Sequence, residues 1–431
     1  MMENVKSVVL TLLVLLSLFQ SYLLSYNSPK FEPINQNDYV QAELFGTQVE
    51  PDKLIFPDPI VLHTGKQGHT LLYPGTVDYR TVYDGVRQTM FENFRRLSGP
   101  ASAVNWEDVR AKQPGVELRF RTALPFGVLQ TALQLRGDGL FENERISKIW
   151  ITIRESPEEV KVYLFAGGDN DVYETVKTNL TVQDVKRFVQ IADNHPPYHT
   201  ANGQYYLPDQ PLETAGYRFA YTQYTSEELK KSLFVDPGIT RNLIERDGSE
   251  IHTDGKRGLR IKYDHRWMNY SDPVIPVDNS RSGMTENLVS AVNFINRHGG
   301  WNGTYLISQI SQRTGTNDEA DQMFIFRQYY ESFPIVNESY VYYGYMKALV
   351  QRGIVSNYER SIIVPDVRTA GKWPATLPGG AELDARIEAA EQKGAIASVY
   401  PAYRPKVEDD YVSLTPAWVV EYASGSVEWI Q

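Results

Sequence analysis

The feature that most constrains this chain is an uncharged, nearly continuous apolar stretch close to its N-terminus, Val8–Leu24 (VVLTLLVLLSLFQSYLL). Counted from Ser7 to Tyr26, the uncharged segment is about 20 residues long, and a helix rising ~1.5 Å per residue would cover roughly 30 Å. That length matches the hydrocarbon core of a bilayer. The sequence therefore predicts a membrane-spanning helix, whose placement decides the compartment of everything that follows it.

Two alternatives to an anchor are a cleaved signal peptide and a buried core helix. A signal peptide needs a small-residue exit site, and residues 20–28 (QSYLLSYNS) offer no Ala-x-Ala-like sequence. A lipoprotein signal is excluded because the chain has no cysteine to acylate. We favour an uncleaved single-pass anchor in the cell membrane, with a short cytoplasmic N-terminus and the bulk of the chain extracytoplasmic. Lys6 and Lys30 flank the span and give little orientation by charge.

One face of the predicted helix combines leucines with polar residues at helical spacing. It consists of Leu10, Leu13, Ser17, Gln20, Ser21 and Leu24. In hydrocarbon, such a face favours a protein partner that satisfies the glutamine and packs closely on the serines. Alternatively, Gln20 and Ser21 lie near the interface and reach water. The first interpretation makes the anchor a transmembrane partner face as well as a tether.

Composition limits what the remaining chain can be. It has 431 residues, enough for about three domains, and it is 42% hydrophobic and 22% charged, as expected of a globular protein. The net charge of −10 argues against nucleic acid and against a polyanionic wall polymer as the main ligand. Without cysteine, the chain has no disulfides, no thiolate catalysis and no cysteine-ligated metals.

Hydrophobic patterning predicts an α+β fold of antiparallel sheets with packed helices. Proline-bearing polar stretches at 195–206 and 272–282 indicate two boundaries. We therefore predict an N-terminal tail and transmembrane anchor followed by three extracytoplasmic domains. Their ranges are 1–27 for the anchor segment, then 28–205, 206–280 and 281–431.

Several elements can be predicted individually. The apolar runs at 146–153 and 160–165 are predicted to form a hairpin over the polar link 154–159. The apolar spacing within residues 82–97 predicts one amphipathic helix ended by Gly99. Thr225 and Glu228 have the spacing of a capping box, which indicates the start of another helix. Thr285 is predicted to cap a third helix.

Motifs that carry chemistry are missing from the sequence. The closest histidines, His195 and His199 in HPPYH, are separated by two prolines, which forbid the helical spacing of a zinc peptidase. Neither a G-x-S-x-G motif, nor an S-x-x-K motif, nor a phosphate-binding glycine loop occurs. A pair of carboxylates for glycoside cleavage could be recognised only in space. We therefore expect no catalytic, cofactor or metal site, and no enzyme.

Six stretches, taken in order, resemble one known family. They are ENVKSVVLTLLVLLSLFQSYLL at the start, LLYPG (71–75), LFVDPGITRN (233–242), TDGKRGLRIKYDHRWMNYSDP (253–273), INRHGGW (295–301) and LTPAWVVEY (414–422). Their order and spacing resemble the YycH family, whose members are single-pass regulators beside the essential WalK (YycG) sensor kinase of low-GC Gram-positive bacteria. Gln20 and Ser21 depart from the anchor expected of that family.

The resemblance implies a function that composition cannot indicate. It implies a regulator of a two-component system for cell-wall homeostasis, which pairs with a YycI-like protein and contacts the sensor histidine kinase through membrane helices. It also implies that the domains at 206–280 and 281–431 are YycI-like. The alternative is an exported module that binds a wall or lipid ligand, or a wall hydrolase, without control of the kinase.

Overall fold

The computed structural model describes residues 2–26, 46–97, 105–137, 141, 144–167, 171–262, 264–273, 283–314, 320–337 and 342–430. The chain divides into two compact units, Met1–Gln41 and Ala42–Gln431. The first unit contains the helix α1 (Met2–Tyr26), which covers the whole apolar stretch predicted to be helical. Among the described residues, no helix combines the length and apolar character needed to cross a membrane. The membrane-spanning role of α1 therefore stays a prediction.

The second unit is a mixture of helices and strands. Its α-helices are α2 (Val77–Arg87), α3 (Trp106–Lys112), α4 (Phe126–Leu129), α5 (Val182–Gln190), α6 (Ser226–Leu233), α7 (Met284–Arg297) and α8 (Ala381–Glu391). The first ten strands are β1 (Ile60–Thr64), β2 (His69–Leu72), β3 (Met90–Arg96), β4 (Pro114–Pro125), β5 (Gln134–Arg136), β6 (Arg145–Glu155), β7 (Glu158–Ala166), β8 (Asp171–Thr178), β9 (Tyr198–His199) and β10 (Leu207–Pro208). The remaining strands are β11 (Leu212–Gln223), β12 (Arg241–Ile244), β13 (Glu250–Thr253), β14 (Gly258–Ile261), β15 (Trp267–Ser271), β16 (Thr304–Thr314), β17 (Ala320–Tyr330), β18 (Phe333–Pro334), β19 (Tyr345–Gln351), β20 (Ile354–Ser361), β21 (Ile363–Pro365), β22 (Gly371–Leu377), β23 (Ile396–Val407), β24 (Tyr411–Tyr422) and β25 (Val427–Ile430).

The first sheet has ten strands in the order β10-β9-β2-β1-β4-β6-β7-β8-β3-β5. Its described pairings are antiparallel except for β3 with β5. The hairpin predicted from residues 146–165 is confirmed as β6 and β7. Helices α2 and α5 meet closely at Gly85, where a Cβ atom would lie 2.5 Å from the ring of Phe188. A side chain at Gly85 would therefore have to displace the buried ring of Phe188.

Two further sheets follow in the chain. One has the order β21-β11-β24-β23, with β22 paired to β11 and β25 paired to β24. Its apolar side packs on α8 through Leu383, Ile387 and Trp418. The other has the order β12-β13-β14-β15-β20-β19-β17-β16, with β18 paired to β17. Helix α7 buries Leu288 and Val292 in the same hydrophobic core as this sheet.

The segment 196–209 links the first sheet to the rest of the second unit through hydrogen-bonded backbone. Within it, β9 pairs with β2 and β10 pairs with β9. The carbonyl of Pro196 accepts a hydrogen bond from Thr70 Oγ1 at 2.6 Å, and the carbonyl of Pro208 accepts one from Gly380 N at 2.8 Å. The connecting segment therefore belongs to the packed structure along most of its length.

The predicted α+β class is confirmed, and the predicted capping box at α6 is also present. Thr225 Oγ1 accepts a hydrogen bond from Glu228 N, and Thr225 N donates to Glu228 Oε2 at 2.7 Å. The division into 28–205, 206–280 and 281–431 stays a prediction. The third sheet draws strands from both of the last two ranges.

Two local predictions are wrong. The helix expected over residues 82–97 ends at Arg87 and is followed by the strand β3, because pairing with β8 places Phe91 in the core. The helical pattern had assigned its core positions to Met90 and Phe94 instead. Gly99, the predicted end of that helix, lies outside the described residues. Helix α7 is not capped by Thr285, because Gly283 holds the N-cap position in an extended conformation.

Candidate functional site

The predicted transmembrane partner face lies on α1. The side chains of Leu10, Leu13, Ser17, Gln20 and Ser21 are exposed. Leu24 lies within the helix, but its side chain falls outside the described residues. The helical backbone brings the set to one side because its members recur at intervals of three and four residues. Its role as a surface for partner helices stays a prediction.

A second candidate site lies in the first sheet, and the sequence analysis missed it. It is a buried network of ionisable side chains on neighbouring strands and one helix. Its members are His63 on β1, His69 on β2, Arg110 on α3, and Glu117 and Arg119 on β4. Each has less than a tenth of its surface exposed, and His63 and Glu117 are fully buried. The sheet register places His63 directly opposite His69.

Glu117 is the common partner in this network. Its Oε2 atom lies 3.2 Å from His63 Nε2 and 3.1 Å from Arg119 Nη2. Its Oε1 atom lies 3.3 Å from Arg110 Nη2. Burial alone would raise the pKa of Glu117, but the two arginines outweigh burial and hold this pKa well below its usual range. Glu117 is therefore ionised.

The two histidines are neutral, because for them burial outweighs the opposing effect of the nearby Glu117. Burial lowers the pKa of His63, and it lowers the pKa of His69 to about 4. Since Glu117 is an acceptor only, the neutral His63 donates from Nε2 and keeps a lone pair on Nδ1. His69 Nδ1, 2.9 Å from His63 Nδ1, must then be the donor of that pair. The hydrogen-bond pattern therefore leaves a lone pair on Nε2 of His69.

An open cleft of about 360 Å³ adjoins this network. Its size falls in the range of small-molecule sites in proteins. It is lined by Gln67, His69, Asn105, Asp108, Arg110, Ala111, His199, Thr200, Ala201, Gly203 and Tyr206. Arg119 fixes one wall, because its guanidinium donates to the carbonyls of Gly203 at 2.7 Å and Gln204 at 2.6 Å.

The histidines of the HPPYH motif are held by different carboxylates. His195 Nε2 lies 2.7 Å from Asp78 Oδ2. His199 contacts Asp209 Oδ1 at 2.6 Å through Nδ1 and Asp384 Oδ1 at 3.0 Å through Nε2. Over the described ranges, no three residues of metal-ligand type come together to hold an ion.

The sequence contains only a partial signal for the cleft. Charged residues alternate within the apolar run VELRFR, and two histidines flank a short turn. Alternation places Glu117 and Arg119 on one side of β4, and a hairpin brings His63 beside His69. No local signal brings Arg110 to the same place, because α3 reaches this face only through tertiary packing.

Fold and site together define a large α+β protein with mainly antiparallel sheets and a polar cleft on the first of them. Residues 3–195 match the family model described as YycH protein, N-terminal domain, and residues 202–430 match YycH protein, C-terminal domain. The chain belongs to the YycH family. The resemblance stated from sequence motifs is thereby confirmed.

The chain is also similar to known proteins at low sequence identity. The chain is 18% identical over 444 residues to the Bacillus subtilis (strain 168) protein named two-component system WalR/WalK regulatory protein YycH, covering 97% of this chain and 94% of the relative. It also resembles the crystal structure of YycH from Bacillus subtilis, with a TM-score of 0.70 and 16% identity, over 90% of this chain and 99% of that one. That similarity shows that the two proteins share a fold.

Proposed function

We propose that this protein is a membrane-anchored regulator of a two-component system of the WalR/WalK type. The observation that carries the proposal is the match along almost the whole length of the Bacillus subtilis relative, whose name states a regulatory role in the WalR/WalK two-component system. Family membership over both halves of the chain supports it as well. In this proposal the protein forms a complex with a YycI-like protein and acts on a sensor histidine kinase of cell-wall homeostasis.

The proposed anchor is α1, with its N-terminus in the cytoplasm and the second unit outside the cell. A continuous helix over the apolar stretch supports this placement, as does the exposure of its leucines, such as 66% for Leu10. In water such exposure is unfavourable at about 25 cal/mol per Å² of apolar surface, so these side chains favour an apolar environment. A bilayer supplies one, and so does a partner helix.

The proposed mechanism is a shift in the conformational equilibrium of the kinase. A regulator can shift such an equilibrium only through contacts that differ between the two states. The transmembrane partner face is suited to this role, because Ser17 and Ser21 allow close approach and Gln20 can hydrogen-bond across helices. The mechanism requires that altering α1 changes autophosphorylation of the kinase, either upward or downward.

Co-purification from membranes with the kinase tests the proposed face. We expect the triple substitution Ser17→Leu, Gln20→Leu and Ser21→Leu to weaken association, because it removes the small residues and the polar side chain together. Thr11→Leu is the matched control, since it is also a polar-to-leucine change but lies on another side of α1. Association that is unchanged in the triple variant would show that the polar face has no role.

Replacing Val5–Tyr26 with an unrelated span tests the mechanism more broadly. We expect the exchanged protein to remain in the membrane and to lose its effect on kinase autophosphorylation. If control of the kinase survives, the membrane-contact mechanism is wrong even if the protein is a regulator. A regulator that acts through its exterior domains would give that result.

The alternative function is an exported module that binds a wall or lipid ligand without control of the kinase. One observation favours it, namely the cleft beside His69 and Arg110. Tight binding of a fragment spanning 29–431 to peptidoglycan fragments, together with normal kinase activity in cells that lack the protein, would support this alternative. Loss of kinase regulation in those cells would support the proposed function instead.

A further inference from the structure

The cleft contains a buried positive charge that is incompletely balanced. Arg110 and Arg119 share one carboxylate, that of Glu117, while the adjacent histidines are neutral. Arg119 also donates to two backbone carbonyls. Arg110 has only the 3.3 Å ion pair, and within the described structure its Nε and Nη2 atoms, which are enclosed by protein, have no hydrogen-bond partner. These two arginines and one carboxylate therefore carry an excess of one positive charge.

Arg110 is held in a fixed position, unlike a surface arginine. Its guanidinium carbon lies 6.0 Å from the centre of the Trp150 ring and 5.2 Å from that of Phe165. Only 6% of the side chain is exposed, and the residue lines the cleft. A buried cation without full pairing is costly, and an anion entering the cleft would reduce that cost. Asp108 also lines the cleft, as an exposed carboxylate whose 3.6 Å contact with Lys112 is a weak surface ion pair, so an anion must bind on the Arg110 side.

His69 gives the cleft a group of the opposite polarity. The tautomers set by Glu117 and His63 leave Nε2 of His69 as an acceptor, and His69 also lines the cleft. The cleft thus offers both a cationic donor and a neutral acceptor. A ligand that matches both must carry an anionic oxygen and a hydrogen-bond donor.

We propose that this cleft binds a small organic anion, which presents a carboxylate or phosphate group to Arg110 and a hydroxyl hydrogen to Nε2 of His69. The cleft volume is sufficient for a ligand of several non-hydrogen atoms. The inference does not depend on control of the kinase. A regulator that bound such a ligand would gain a way to couple its conformation to the concentration of that ligand.

Four simple probes separate the two interactions. Glycolate carries a carboxylate and a hydroxyl, glycerol 3-phosphate carries a phosphate and hydroxyls, acetate lacks the hydroxyl, and glycerol lacks the anion. Binding is measured on the full-length protein in detergent by ligand-observed NMR, and the imidazole resonances of His69 are followed in parallel. We expect glycolate or glycerol 3-phosphate to bind with a Kd of about 1 mM or tighter. Which of the two binds distinguishes a carboxylate from a phosphate ligand.

Arg110→Gln is the decisive variant, and we expect it to weaken binding by about tenfold or more through loss of a charge-assisted hydrogen bond. Arg136→Gln is the matched control, because Arg136 is exposed and pairs with Glu92 elsewhere on the first sheet. Because Arg110→Gln could also destabilise the fold, the imidazole shifts of His69 in the unmodified protein provide a test without any variant.

Four results would overturn the proposal. Failure of both anionic probes to bind the unmodified protein would show that the cleft is no anion site. Binding unaffected by Arg110→Gln in a folded variant, or binding without any change at His69, would place the anion elsewhere. Equal affinity for acetate and glycolate would refute the hydrogen bond assigned to His69.

Discussion

Arg121 donates two hydrogen bonds to a single oxygen of Asp58, from Nε at 2.9 Å and from Nη2 at 2.7 Å. The hydroxyl of Tyr329 donates to the same Oδ2 atom. The guanidinium carbon of Arg121 lies 3.4 Å from the centre of the Tyr400 ring. Asp58 lies two residues before β1, and the other three residues lie in β4, β17 and β23. These four residues therefore join all three sheets at one buried point.

Breaking this ion pair should destabilise the second unit strongly. Arg121→Met leaves Asp58 buried without its cation, and removal of one partner from a buried pair costs about 3–5 kcal/mol. Arg154→Met is the control, because Arg154 and Glu159 form a partly exposed pair whose loss costs ~0–1 kcal/mol. Denaturant unfolding followed by tryptophan fluorescence measures both. Similar losses in the two variants would contradict the prediction.

Tyr329 and Arg121 should be energetically coupled. Tyr329→Phe alone removes one hydrogen bond to Asp58 and should cost about 1–3 kcal/mol. The loss of unfolding free energy in the double variant with Arg121→Met should differ from the sum of the two single losses, because both side chains bind one oxygen atom. A double-mutant cycle of unfolding free energies measures the coupling. Simple additivity would show that the two contacts act independently.

His298 should make the protein less stable as the pH falls. Burial lowers the pKa of His298 to about 4, although the hydrogen bond from its Nδ1 to the carbonyl of Ser232 opposes this shift. The unfolded chain has the ordinary pKa of about 6.5 and so binds a proton that the folded state excludes. Stability should fall between pH 6.5 and 4, by up to about 1.4 kcal/mol per pH unit for this one proton. His298→Phe should reduce that slope, and unfolding free energies over this pH range test it.

His199 should make the protein less stable as the pH rises, which is opposite to the effect of His298. Partial burial lowers its pKa, but Asp209 and Asp384 outweigh burial, so the net shift is upward. A raised folded-state pKa gives stability that is fully present below pH 6.5 and is lost as the pH rises through the folded-state value. His199→Gln should therefore destabilise the protein more at pH 6 than at pH 8. Equal destabilisation at both values would show that the carboxylate contacts do not favour the charged imidazole.

Sequence patterns predicted the elements that depend on neighbouring residues. The hairpin of β6 and β7 and the capping box of α6 were both predicted, because each is stabilised by residues close in sequence. The strand β3 was not, because its identity depends on pairing with β8, which lies far along the chain. The sheet orders could not be predicted for the same reason, since β11 pairs with β22 and with β24 across most of the C-terminal half.

The cleft eluded prediction because its members are separate in the sequence. Glu117 and Arg119 indicated at most a strand with alternating charge, which is usually a solvated face. Both residues are buried, and the cleft beside them is lined by residues of α3 and of the segment 199–206. The tautomers of His63 and His69 depend in turn on the ionised Glu117. Composition and spacing carry none of this information.

The connecting segment 196–209 has a mechanical consequence. Short strands and backbone hydrogen bonds attach it to the first sheet, and contacts from Gly380 and Asp384 attach it to the start of α8. A displacement of the first sheet relative to α8 would therefore have to break these hydrogen bonds or carry α8 with it.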